Sequence, residues 1–249
     1  WALGIASMST FIFLFSALYF SNYRLILVNI YKSINQWRIN YMKEIFPFQW
    51  KIAISWISGY LIFQLFNPVL FATEGSKIAG QMGMTMVAIS GISSISISWI
   101  NTKVPLFSRL IAKNSYLELD QVFNNTIKQL SIINLLLTLS FIIFIYFSIY
   151  FEFEIADRFL DLSLVIILGV TSFFNQFVFA WAAYLRSHKK EPFLINSTIL
   201  GILIAISVFV SSNFYGVTGV VIGYSALTLF LGVPWAYYIF QNKKREWHD

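Results

Sequence analysis

Two histidines, no cysteine and a thin scatter of carboxylates are all that this chain of 249 residues offers to bond-making chemistry. His188 stands in a basic loop and His248 at the tail, so no H-x-x-x-H pair exists to hold zinc on a helix face. Glu152, Glu154, Asp157 and Asp161 form an acidic stretch that reads as a solvated loop rather than a metal or sugar site. Gly80-Gln-Met-Gly83 lacks the lysine of a phosphate loop. The lack of cysteine excludes a disulfide framework and thiolate metal sites. No catalytic set can be nominated, so the expectation is a protein that is not an enzyme, with no metal site and no cofactor.

What the chain does carry is uncharged polarity inside apolar runs. Trp56, Tyr60, Gln64 and Asn67 fall at i, i+4, i+8 and i+11, one face of one helix, with Pro68 following. Lys77, Gln81 and Thr85 share a face of the next run. Thr171, Asn175 and Gln176 lie near the middle of a later one, and Asn196 and Ser197 open another. Amides at membrane depth cost free energy unless paired, so they should face other helices or a wet cavity. The Trp56–Asn67 stripe reads as the wall of a polar, aromatic-lined lumen. Asn175 and Gln176 fit a lumen or interhelical bonding equally. Ser90, Ser93, Ser94, Ser96 and Ser98 read as packing, as does the small-residue face Gly219-x-x-x-Gly223 with Ser225, Thr228 and Gly232.

The elements that must position these residues are transmembrane helices. Hydrophobic residues make up 58% of the chain and charged ones 11%, against about a quarter charged in soluble domains. A spanning helix needs about 20 apolar residues, and seven such runs are present: 2–21, 50–71, 77–100, 130–151, 159–183, 193–211 and 217–240. The predicted fold is therefore an all-α polytopic membrane protein with seven transmembrane helices. The first residues already lie in an apolar run with no basic segment before it, which is not a signal peptide. The chain reads as the C-terminal part of a longer protein.

Charge orients the spans. The segments 22–51, 101–129, 184–192 and the tail carry fifteen of the 17 Lys and Arg residues; only Lys77 and Arg158 fall on the other side, with Glu74 and the acids of 152–161. Basic loops stay in the cytoplasm, so Trp1 is expected outside and Asp249 inside. This charge sits in short juxtamembrane loops, where it meets anionic membrane lipid, and no nucleic-acid partner is expected.

Two of the cytoplasmic loops are predicted to be helical. In 22–48, Leu27, Ile30, Ile34, Trp37 and Tyr41 oppose Lys32, Gln36, Asn40 and Lys43, which is the pattern of an interfacial amphipathic helix. In 101–129, Pro105 permits a bend just past the third span, and Asn114 and Ser115 break the pattern. Ser115-x-x-Glu118 then forms a capping box, and Leu119, Val122, Phe123, Ile127 and Leu130 resume helical spacing. The segment reads as an elbow that leaves the membrane, lies at its surface and returns.

The stretches FPFQWKIAISWISGYLIFQLFNPVLF (46–71) and AGQMGMTMVAISGISSISISWINTKVPLFSRLIAKNSYLELDQVF (79–123) resemble the polysaccharide-flippase branch of the multidrug/oligosaccharidyl-lipid/polysaccharide (MOP) exporter superfamily, the O-antigen-type flippases. The elbow carries the best match: Pro105, then Ser108, Ala112, the break at Asn114–Ser115, and a helix through Leu119 and Phe123. The resemblance implies two six-helix lobes around a V-shaped cavity. Residues 1–21 would be the last helix of the N-terminal lobe, 22–48 the cytoplasmic linker, and 49–249 the six-helix C-terminal lobe with its elbow at 101–129. It implies alternating access that moves an undecaprenyl-pyrophosphate-linked oligosaccharide across a bacterial inner membrane during polysaccharide (O-antigen, lipopolysaccharide) biosynthesis. Coupling to H+ or Na+ and polysaccharide polymerase or assembly partners belong to the same implication. Lys103 and Arg109 would make first contact with the head group, with Pro105 in the gate. The cation-lined lumen common in that branch is missing, since only Lys77 lies near a span on the outer side. A small-molecule exporter of the same superfamily would be expected to show a lumen carboxylate. A membrane glycan polymerase or transferase would show a large, charged external loop.

Overall fold

The computed structural model describes residues 2–20, 25, 28, 29, 31 and 40–248. No strand occurs among them. They fall into two compact units, 1–47 and 48–249. In the first, helix α1 (Ala2–Phe20) occupies the expected first span. Most of the linker residues expected to form an amphipathic helix, including Leu27, Ile30, Ile34 and Trp37, lie outside the described residues. A π-helical turn, Tyr41–Ile45, follows, with the Asn40 side chain accepting from the Lys43 backbone N–H at 3.3 Å.

The second unit holds all but the first two residues of α2 (Phe46–Gln64), then α3 (Phe66–Glu74), α4 (Ser76–Ala112), α5 (Tyr116–Tyr150), α6 (Leu162–Arg186), α7 (Leu194–Ala226) and, after a π-helical turn over Leu227–Gly232, α8 (Val233–His248). Five stretches are long and apolar enough to cross a membrane: Phe46–Glu74, Ser76–Ala112, Tyr116–Tyr150, Leu162–Arg186 and Leu194–His248. The first is one pass interrupted at Leu65, because Pro68 cannot donate to the Gln64 carbonyl. The last is two passes. At Gly216 the backbone leaves helical geometry (φ 58°, ψ −148°). Beyond it Gly219 lies against Ser211, Gly223 against Ser207, and Gly232 against Leu200, so the chain doubles back on itself. The expected small-residue face is the seam of this hairpin. Six passes thus lie within 48–249, and the chain is an all-α polytopic membrane protein.

The side chains are distributed as lipid solvation requires. On α5, Asn134 and Thr138 are buried while Ile132, Leu135, Leu136, Leu139 and Ile143 are exposed. Apolar surface loses nothing in hydrocarbon, whereas an amide there needs a partner.

The elbow is a tight reversal between two long helices. Helix α4 runs on through Pro105 to Ala112, and the chain turns over only three residues. Asn114 sits in the left-handed region (φ 55°), with its N–H bonded to the Ile111 carbonyl at 3.0 Å and that of Ser115 to Leu110 at 3.0 Å. This is a Schellman closure, and asparagine is the residue after glycine that best tolerates it. Ser115 is the N-cap of α5, as its position suggested, but its side chain makes no cap bond, so the capping box is not formed. At 37 residues α4 is about 55 Å long, well over the roughly 30 Å of hydrocarbon. The 101–129 segment is therefore two helix ends, α4 and α5, packed together through Phe107 and Phe123 (centroids 5.9 Å apart).

At this elbow end Phe107, Phe123, Tyr184 and Phe240 form an aromatic nest. Asp120 accepts from the Tyr184 hydroxyl at 2.7 Å and pairs with Lys244 at 2.7 Å, which ties α5, α6 and α8 together. His248 stacks on Tyr116 (4.2 Å) and its Nε2 lies 3.3 Å from that of His188. Burial lowers the pKa of His188, helped by His248 and Lys190 and opposed by the Tyr184 carbonyl. A folded pKa below the unfolded one means that the unfolded chain takes up the proton first. Stability is then complete above about pH 6.5 and falls as pH drops below it. Melting of the detergent-solubilised protein between about pH 8 and 5 should show this acid slope, and His188→Gln should flatten it.

Candidate functional site

A cleft opens between α2, α4, α6 and α7. It has two connected parts, of about 360 and 500 Å³, which share Phe63, Asn175, Phe179, Arg186 and Tyr224. Trp56, Tyr60 and Gln64 form the α2 wall, at the spacing that puts them on one helix face. Asn175 projects from α6 into both parts. Ser90, Ser93 and Ser94 line the smaller part from α4. Their hydroxyls are engaged: Ser93 with Ser172 at 2.8 Å, Ser90 with the Val87 carbonyl and Ser94 with that of Ser90. They pack and line at once.

Several expected site residues lie elsewhere. Asn67 packs against Gly83, because the break at Leu65 turns its helix away from the stripe that ends at Gln64. Lys77 is exposed at the Gly75 end of α4. Gln81 donates to the Asp157 carbonyl at 2.9 Å, and Thr85 accepts from the Leu160 N–H at 3.1 Å; both fasten the 151–161 loop to α4. Gln176 is buried away from the cleft, and neither of its amide atoms finds a partner among the described residues. Lys103, Pro105 and Arg109 lie along the end of α4 outside the cleft lining, Pro105 and Arg109 exposed and Lys103 half-buried.

The cation of the cleft is Arg186, the last residue of α6. Charge topology had assigned it to a basic loop. Its Nε and Nη2 grip both oxygens of Glu191, the second at 3.1 Å, and Nη2 also reaches Ser55 Oγ on α2 at 3.4 Å. The Glu191 side chain is 0% exposed and that of Arg186 34%. Ser55 in turn meets Ser197 Oγ of α7 at 3.2 Å. One guanidinium therefore links α2, α6 and the loop before α7, and among the described residues its Nη1 donates no hydrogen bond. Such a group can grip a phosphate or carboxylate. Among the described residues no cluster of three His, Cys, Asp or Glu could hold a metal ion. No family model, no curated protein and no solved structure matches the chain.

Proposed function

We propose that the chain acts in a flippase that moves a lipid-linked oligosaccharide across the bacterial inner membrane. Residues 48–249 are read as one lobe of an alternating-access transporter of the MOP type, without enzymatic activity. The reading is carried by one juxtaposition: an aromatic and amide wall, Trp56, Tyr60, Gln64 and Asn175, shares a cleft with a single guanidinium, Arg186. A sugar offers hydroxyls to amides and an apolar ring face to Trp and Tyr. A pyrophosphate offers paired oxygens to a guanidinium, the geometry for which arginine is suited. With the basic loops in the cytoplasm, Arg186 stands at the cytoplasmic mouth, where a head group would arrive. The seat of first contact moves from Lys103 and Arg109 to Arg186. The substrate would be an undecaprenyl-pyrophosphate-linked repeat unit, handed to a polysaccharide polymerase on the far side.

Deleting the intact gene in its host tests the reading. Complete repeat units should accumulate on the undecaprenyl carrier while surface polysaccharide disappears. Unchanged carrier pools with normal surface polysaccharide would overturn it and bring the small-molecule exporter forward.

A further inference from the structure

We infer that His188 and His248 form a two-imidazole site for a divalent transition ion, zinc or copper(II), which fastens the end of α8 to the loop after α6. The two are the only histidines of the chain, sixty residues apart, and the fold brings their Nε2 atoms to 3.3 Å. They lie outside the lining of the cleft, and the site does not depend on what the cleft carries.

Each ring is positioned by contacts of its own. His188 packs on Tyr184 and Trp247, with ring centroids 5.7 and 5.0 Å away. Its Nδ1 lies 3.3 Å from the Tyr184 carbonyl. A carbonyl only accepts, so Nδ1 carries the hydrogen and Nε2 the lone pair. A carbonyl on the far nitrogen is a common partner of an imidazole that ligates a metal, because it fixes both tautomer and ring orientation. His248 stacks on Tyr116 at 4.2 Å, and the Tyr116 hydroxyl donates to Asn114 of the elbow at 3.1 Å. One turn earlier on α8, the Lys244–Asp120 pair ties the helix to α5.

Without an ion, the His248 Nε2–H donates to the His188 lone pair. Two nitrogens held about 2.0–2.1 Å from a tetrahedral ion stand about 3.4 Å apart, so the spacing already suits one. Moving the His248 proton to Nδ1 frees the second lone pair, and a turn of each ring directs both at a single ion. Both residues are half-buried, so solvent reaches them and water can complete the coordination. The neighbouring carboxylates are engaged elsewhere: Asp120 by Tyr184 and Lys244, Glu191 by Arg186, and Glu246 by Lys243. Two imidazoles without a carboxylate suit zinc and copper(II), not magnesium or calcium. With water in the other positions the ion exchanges, unlike one in a closed four-ligand structural site. Lys190, whose Nζ lies 4.5 Å from the Trp247 ring, is the nearby cation that opposes it.

The test uses the intact protein in detergent micelles, stripped with chelator and carrying no histidine tag, with zinc and copper(II) ions alone as probes. Calorimetry should find a saturable ion that is lost from His188→Gln/His248→Gln, one per chain. Loss of a second-shell partner typically weakens a metal site about 10–100-fold, so loss of either ligand should cost at least about a hundredfold. His248→Gln, at the end of α8, is the variant least able to disturb the fold. Tyr116→Leu removes the platform under His248 and should weaken binding about two- to tenfold. Electron paramagnetic resonance of the copper(II) form should show coupling to two imidazole nitrogens, reduced to one in either single variant. Failure of the wild type to bind either ion more tightly than about 1 mM overturns the site. So does a double variant that binds as many ions as tightly as the wild type, or a copper(II) spectrum that His248→Gln leaves unchanged.

Discussion

An Arg186→Leu variant should be about 3 kcal/mol less stable than the wild type, while Arg186→Leu/Glu191→Leu recovers most of that loss. The single change strands a fully buried carboxylate that water does not reach. Removing one partner of a buried pair costs about 3–5 kcal/mol, and the partial exposure of Arg186 argues for the lower end. Replacing both partners by apolar side chains removes the desolvation cost along with the attraction, which is often neutral. Glu191→Leu should fall between, at about 1–2 kcal/mol, because Arg186 can turn its charge to the cleft. Denaturant unfolding in micelles, followed by tryptophan fluorescence, reads all three. Equal losses in the two single variants, or a double variant as unstable as Arg186→Leu, would show that the pair is not held as a buried unit. Under the flippase reading the double variant separates the two roles of Arg186: it folds and no longer exports.

Much of the fold was legible because lipid imposes a length. Apolar runs of transmembrane size, separated by Gly, Asn, Pro and charge, marked every helical pass of 48–249. The reversal at Asn114 was legible for a local reason, since an asparagine accepts the left-handed conformation that ends a helix. Pro105 was harder to place. A proline costs one helix hydrogen bond, and in a 37-residue helix braced by its neighbours the helix absorbs that loss and runs on. At Pro68, near the start of a nine-residue helix, the same chemistry coincides with a break. Sequence states where the donor is missing; the packing decides whether the helix stops.

The site was legible only as far as one unbroken helix reaches. Trp56, Tyr60 and Gln64 share the cleft because the period holds through Gln64; counting on to Asn67 assumed helix where Leu65 interrupts it. A face can be read from spacing, but not what it faces, which is why Asn175 enters the cleft and its neighbour Gln176 does not. Arg186 and Glu191 left almost no signal. They lie five residues apart across a helix end, among lysines whose charge accounted for the loop as topology. Pro192 directly after Glu191 was the one sign that the loop is short and bent back.

Gly216→Ala should cost about 2–4 kcal/mol, the largest effect expected from adding a single methyl group. Three features converge on that carbon. The backbone at φ 58°, ψ −148° lies in territory that side chains other than hydrogen occupy only with strain, at about 1–3 kcal/mol. The added Cβ would collide with the Glu74 carboxylate. That carboxylate accepts from the Val217 N–H at 3.0 Å, which caps the second arm of the hairpin, so moving it aside loses the bond, worth about 1 kcal/mol. Glu74→Ala alone should therefore cost about 1 kcal/mol, and Glu74→Ala/Gly216→Ala less than the sum of the two, since the collision disappears with the carboxylate. The strain remains in the double variant, which should stay clearly below the wild type. The consequence extends along the seam, because Gly219, Gly223 and Gly232 approach Ser211, Ser207 and Leu200 only while the turn holds its shape. A Gly216→Ala protein within about 0.5 kcal/mol of wild type would show that the hairpin closes through a different backbone geometry, and that the seam glycines alone set its register.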